Sequence, residues 1–389
     1  MGQHFDTVSG FPTISGFCAM KLDNPDQLIT FSTRELFFAF RLSDPSSDES
    51  VNYTRELHTS NLIPNDQAIF DPESQKVARE IVRRLALHEC ENLTDHVDHY
   101  SFSHLPLFKG GFGDVYRGNL FSGLRVAVKT PHISLNVLDE NPEYMEDVAR
   151  EIHTWSKCDH PNVLNFLGLV VFRGQIGMVA PWMENGSLPR YLERTLSADR
   201  CKLCTQVCDG VIYLHKIGIV HGDLKGENVL VSSEGVVVVS DFGGLLLKNR
   251  SLKIVPLEKG LCFTSPWAAP ELLDGDEEGI NTRESDVYAL GMTILEAITG
   301  KLPWYWLHRD LAVMKQVCSL RNQHRRPEGV ILINSQDGDK LWNLLTTCWS
   351  FEPEKRPNAV DVGEIMRTIT PGGLKAHISP TMSGRCVIF

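Results

Sequence analysis

No run in the chain approaches the roughly eighteen apolar residues that a membrane-spanning helix needs, and no charged-then-apolar signal pattern opens it. Basic excess is missing too: 38 Lys and Arg stand against 49 Asp and Glu, a formal charge of -11. That balance excludes an electrostatic nucleic-acid binder, which shows a basic stripe. The ten cysteines lack the spacing of a disulfide framework, so they read as reduced thiols of a soluble, cytoplasmic protein. Internal repeats and low-complexity tracts are absent. So is any G-x-x-x-x-G-K-[ST] motif, which excludes a P-loop.

What remains is ordinary globular material, 42% hydrophobic and 22% charged over 389 residues, enough to bury a large core. The tightest cysteine group, Cys201, Cys204 and Cys208, has zinc-like spacing but sits among apolar residues at helical period. A buried helix face is the better reading, because no second pair completes a zinc site.

Residues 1–98 differ in character from the rest and read as a partly disordered N-terminal extension. Ser43–Ser50 is a polar, turn-rich linker. One helix is expected near 72–89, with Asp71 as N-cap, Pro72 at the first position and Val77, Ile81 and Leu85 on one face. From about 100 to 130 the pattern is strand-like, and from E-D-V-A-R-E-I-H-T-W-S (Glu146–Ser156) onward it is mainly helical. The order predicts an α+β fold of two lobes: a small antiparallel-sheet lobe at 99–183 and a larger helical lobe at 184–370. Residues 371–389 read as a flexible tail.

Four segments carry chemistry. F-K-G-G-F-G-D-V (Phe108–Val115) is glycine-rich between strands, which lets backbone N–H groups approach an anion. A Rossmann reading fails, since a strand follows instead of a helix. V-A-V-K (Val126–Lys129) alternates and ends in a lysine that needs an anionic partner if it points inward, for which Glu151 is available. In H-G-D-L-K-G-E-N (His221–Asn228), an acid, a cation and an amide share one loop. S-D-F-G (Ser240–Gly243) puts an acid at the end of a buried valine strand, where carboxylate oxygens suit Mg²⁺. Together they supply a base, a phosphate clamp and metal ligands for phosphoryl transfer.

In this order and spacing, with A-A-P-E (Ala268–Glu271) after them, the motifs resemble the eukaryotic protein kinase family over roughly residues 100–370. M-E-N-G-S-L, W-A-A-P-E and C-W-S-F-E-P-E-K-R-P (Cys348–Pro357) resemble its tyrosine-kinase-like branch, and Lys225 two residues after Asp223 is the serine/threonine-type feature. The resemblance implies ATP and Mg²⁺ as cofactors and protein hydroxyls as substrates. By it Asp223 is the base, Lys225 the phosphate-stabilising cation, and Asn228 and Asp241 the metal ligands. Gly110, Gly111, Gly113, Val115, Ala127, Lys129, Glu151, Ala180 and Met183 are implied to hold the nucleotide, with Lys129 and Glu151 as an ion pair. His221, Asp286 and the pair Glu271–Arg356 are implied to be structural.

Departures from the pattern carry expectations of their own. Phe108 replaces the first glycine of the loop, over the nucleotide, where bulk is expected to weaken ATP binding. Gly222 replaces an arginine that in many relatives pairs with a phosphorylated activation loop, so activity is expected without phosphorylation of Thr264 or Ser265. Ala180 is a small residue at the position guarding the pocket behind the adenine. The tail C-V-I-F (Cys386–Phe389) reads as a C-a-a-X prenylation signal with reversible membrane association as its consequence. Asp6 stands where a myristoylation signal from Gly2 wants Ser or Thr. A pseudokinase scaffold and a membrane-tethered adaptor are the rival readings.

Overall fold

A computed structural model describes residues 72–87, 90–110, 113–132, 135–242, 265–273, 280–307 and 309–374. The expected tail signal at Cys386, the linker at Ser43–Ser50, Gly111 and Thr264 lie outside the described residues.

The first lobe is built on one antiparallel sheet. Its strands are β1 (Val97–Asp98), β2 (Phe108–Gly110), β3 (Gly113–Leu120), β4 (Arg125–Pro131), β5 (Gly168–Phe172) and β6 (Gln175–Pro181). They are ordered β1-β3-β4-β6-β5, with β2 pairing β3. Strand period two sorts the side chains of β4: Val126, Val128 and Thr130 are buried on one face, while Ala127 and Lys129 turn to the other. The buried face joins Val170, Phe172 and Val179 with Val97 and Phe102 from the segment leading into β2.

The opposite face of β5 and β6 is covered by helices. α1 (Pro72–Ala86) lies close to the expected helix, and its Ala78, Ile81, Val82 and Leu85 are buried. α2 (Leu135–Glu140) and α3 (Pro142–Ser156) follow β4, and Val148, Ala149 and Ile152 of α3 share a core with α1. β1 pairs with β3, the Leu93 N–H donates to the Leu169 carbonyl and the Leu169 N–H to the Glu91 carbonyl, so residues before 99 pack on this lobe as far back as α1. Sequence pattern missed this because a two-residue strand has no periodicity to detect.

After the connection at Trp182–Asn185 comes a small sheet of β7 (Gly186–Ser187), β8 (Val229–Val231) and β9 (Val237–Val239). The helices of the second lobe are α4 (Leu188–Arg194), α5 (Arg200–Lys216), α6 (Pro270–Leu273), α7 (Arg283–Thr299), α8 (Asp310–Met314), α9 (Gln336–Cys348) and α10 (Ala359–Arg367). On α5 the three cysteines form a buried face with Leu203, Val207 and Val211, as the helical period predicts. Burial pushes the Cys201 thiol up to about 11 and Cys204 well above its ordinary value, so these are packing groups and not thiolate ligands.

α7 is the axis of this lobe. Thr282 and Ser285 cap its start reciprocally, Gly300 ends it at φ 68°, and every residue from Ser285 to Ile298 is buried. A helix buried all round must satisfy its polar side chains internally. Glu296 does so in part: its Oε2 accepts from the Gly226 N–H at 3.0 Å and from Trp267 Nε1 at 2.9 Å. Burial raises its carboxyl from an ordinary value near 4.5 to about 7. A raised folded-state value means that this group's stabilising effect is full below about pH 4.5 and is lost as pH climbs through 7. Between about pH 4.5 and pH 8, Glu296→Gln should therefore gain about 3 kcal/mol of stability relative to wild type. Denaturant midpoints of both proteins at the two pH values measure it, and parallel pH profiles would contradict the assignment.

Candidate active site

Between the lobes lies a cleft of about 410 Å³. Its roof comes from the glycine loop and β4, through Phe108, Gly113, Val115, Ala127 and Lys129. Ala180, Pro181, Trp182 and Met183 form its back edge, and its floor is Leu230, Asn228, Ser240 and Asp241. Eight residues expected at the nucleotide or metal positions thus meet in one cavity: Gly113, Val115, Ala127, Lys129, Ala180, Met183, Asn228 and Asp241. Gly110 closes the β2–β3 hairpin opposite Gly113.

Lys129 faces the cleft and meets an anion, as a partly buried ammonium must. The partner is Asp241, whose Oδ1 lies 2.5 Å from Nζ. The Glu151 side chain lies outside the described residues, though the residue itself is on α3, one turn before Trp155. Asp241 holds the left-handed backbone conformation, φ 59°, which Asp tolerates better than most residues.

Two hydrogen bonds from the serine of S-D-F-G join that segment to the loop of H-G-D-L-K-G-E-N. Ser240 donates to the Asn228 carbonyl through both its N–H and its hydroxyl, each at 2.9 Å. Asn228 in turn donates from Nδ2 to the Asp223 backbone oxygen at 2.7 Å and to Oδ2 at 3.1 Å, which turns its amide oxygen the other way. Lys225 donates to both carboxylate oxygens of Asp223, at 3.0 and 3.2 Å. The acid, the cation and the amide are therefore one hydrogen-bonded unit.

The loop backbone hangs on α7. Asp286, 1% exposed, accepts from the N–H groups of His221 at 2.7 Å and Gly222 at 2.8 Å, and its Oδ2 meets His215 Nε2 at 2.8 Å. Gly222 has φ 76°, a conformation in which a side chain would cost about 1–2 kcal/mol. The ion pair expected between Glu271 and Arg356 is present and bidentate, at 2.6 and 2.7 Å, with the Arg356 side chain fully buried.

The structure adds contacts that the motifs alone do not show. Rings of Phe166, Trp155, Phe242 and His221 contact in series, with centroids 4.8, 6.0 and 6.4 Å apart. The series runs from the segment just before β5 through α3 to the loop that carries Asp223. Its detectable signal was an aromatic one turn after Glu151, on the helix expected to carry that acid. Trp182 is a second addition: the Phe108 ring lies 6.5 Å from it and Arg117 stacks over it at 5.5 Å. Phe108 thus narrows the cleft mouth from the side of Trp182.

Residues 104–366 match the family of protein tyrosine and serine/threonine kinases. The chain belongs to the protein kinase family. Among its relatives, the kinase is 31% identical over 293 residues to Kinase suppressor of Ras A of Caenorhabditis elegans, covering 70% of this chain and 36% of that one. It is 27% identical over 260 residues to Mitogen-activated protein kinase kinase kinase 2 of Arabidopsis thaliana, covering 65% and 38%. With Cytokinesis protein sepH of Aspergillus niger the identity is 33% over 261 residues, covering 65% and 18%. The chain spans less than two fifths of the length of each of these three. They accord with the tyrosine-kinase-like character of the motifs.

Ala180 is buried among Leu164 and Val238, and the cleft continues past it to Trp155, Leu164 and Met178. A purine analogue with a bulky substituent directed at Ala180 should bind this kinase, and Ala180→Phe should weaken it at least tenfold while sparing the unsubstituted nucleotide. Competition binding with the two ligands checks this. Equal loss of both would mean that Ala180 does not border the substituent.

Proposed function

We propose that this kinase is catalytically active, transferring the γ-phosphoryl group of ATP to serine or threonine hydroxyls of proteins. The observation that carries the reading is the continuous hydrogen-bonded path from Asp223 to Asn228 and on to Ser240, the last two lining the cleft floor with Asp241. Phosphoryl transfer asks a protein mainly for positioning and charge stabilisation, and that path supplies both kinds of group.

Asp223 accepts the proton of the incoming hydroxyl, which Lys225 helps to align by holding the carboxylate. Lys225 also lies where it can balance charge on the transferring group, and its place two residues after Asp223 supports serine/threonine specificity. Lys129 holds nucleotide phosphates, and Val115, Ala127, Ala180 and Met183 enclose the base. The oxygen donors fit Mg²⁺, which takes one or two protein ligands and completes its shell with phosphate oxygens and water. Asp241 and the Asn228 amide oxygen are those ligands. Bound there, the ion would neutralise the developing charge on the phosphates. Protein substrates, ATP and a reducing cytoplasmic setting belong to the same proposal. The names of the relatives, among them a mitogen-activated protein kinase kinase kinase, support a place in signalling.

Purified protein with Mg-ATP and a generic basic substrate should incorporate phosphate on serine or threonine. Asp223→Asn should lower turnover by at least a thousandfold, the scale expected for losing a general base together with its charge. Normal ATP binding without turnover in the wild type would establish the pseudokinase reading instead. Ser265 is buried, and Gly222 offers no guanidinium to a phosphate near it. Ser265→Ala should accordingly keep activity within tenfold of wild type in the same assay, and a larger loss would contradict phosphorylation-independent activity.

A further inference from the structure

Helix α1 lies outside the matched kinase region 104–366, yet its apolar face is fully buried in the first lobe. Ala78, Ile81 and Val82 are 0% exposed and Leu85 is 1% exposed. They share one core with Val148, Ala149 and Ile152 of α3 and with Leu169, Val171, Ile176 and Met178 of β5 and β6. Both faces of β5 are buried. One set, Val170 and Phe172, belongs to the sheet's other core, whereas Leu169 and Val171 face the helices. An ion pair of 3.0 Å between Arg84 and Asp139 ties α1 to α2, the short helix just before α3.

α3 carries the residues that connect this core to the cleft. Phe166 belongs to the α1 core, and Trp155 packs against it while touching Phe166 on one side and Phe242 on the other. Trp155 also donates from Nε1 to the Leu164 carbonyl at 2.8 Å. Phe242 follows Asp241, which pairs with Lys129. A shift of α3 away from the sheet would therefore break the ring series and release the acid that faces Lys129.

Resting on the reading of the chain as an active kinase, we infer that α1 is a built-in positioning element: it packs on the β5–β6 face beside α2, shares the side-chain core of α3 and so keeps Trp155 against Phe242. A helix docked in this way supplies from within the chain what an activating partner would otherwise supply from outside. It also accords with the absence of an arginine at Gly222. α1 does not touch substrate; Ile81 and Leu85 act through α3.

The test uses the full chain. Ile81→Asp should lower kcat at least tenfold with a smaller change in KM for ATP, and should speed hydrogen exchange in residues 142–156 while leaving 283–299 unchanged. Ile81→Val should restore both readouts, and Arg83→Ala, on the exposed face of α1, should change neither. Where Ile81→Asp fails to fold, Leu85→Ala takes its place with the same expectations at smaller amplitude. Unchanged exchange at 142–156, or exchange rising equally through both lobes, would overturn the inference and leave α1 a mere cover. Wild-type protein without phosphate transfer would sink the catalytic reading instead, and the exchange pattern would then decide on α1 alone.

Discussion

The Asp286 carboxylate is the constraint on which the cleft depends. It is removed from water, and a buried charge is tolerable only when its lone pairs are used. Here they accept two consecutive backbone N–H groups, from His221 and Gly222, and face His215. Consecutive amides can point at one carboxylate only if the chain turns sharply between them, and the left-handed Gly222 makes that turn. The turn sets the direction in which Asp223 leaves the loop. From there Asn228 and Ser240 pass the placement on to Asp241 by hydrogen bonds of 2.7 to 3.1 Å. The geometry of Asp223, Asn228 and Ser240 thus descends from one side chain on α7, buried from Ser285 to Ile298.

Gly222 shows how one residue answers two demands. Its positive φ follows from the Asp286 bonds, and a glycine takes it without the steric cost that a β-carbon brings. The same choice leaves the loop without the guanidinium that the family resemblance leads one to expect at this position. The first lobe is also tied to the second by side-chain contacts. The ring series from Phe166 to His221 is suited to that task, because it ends on the residue whose N–H is bound to Asp286.

Much of this was legible in the sequence, and for a physical reason. Groups that handle charge sit on tight loops whose spacing is set by chemistry, so Asp223, Lys225, Asn228 and Asp241 could be picked out by type and interval. Alternation in V-A-V-K correctly set Lys129 on the cleft face opposite buried Val128. The Glu271–Arg356 pair was legible only through resemblance, since the two are 85 residues apart and share no local pattern. What escaped were contacts made by packing alone. The Trp155 ring touches residues 11 and 87 positions away through shape and not through any repeated interval. The neighbourhood of Phe108 and Trp182 at the cleft, 6.5 Å between ring centroids, likewise follows no repeated interval.

The sequence marks α1 as a helix, and the structure shows what packs against it. Its capping residues and apolar stripe predict a helix with one buried face, but they are silent about what buries it. The answer lies in β5, whose residues are all buried and which therefore needs cover on both sides. One cover belongs to the sheet's own core, and α1 with α3 forms the other. A strand that is apolar on both faces at the edge of an antiparallel sheet is itself a sign of a missing layer, since such sheets usually leave one face wet. G-L-V-V-F at Gly168–Phe172 carried that sign, and it points back to a helix nearly a hundred residues earlier in the chain.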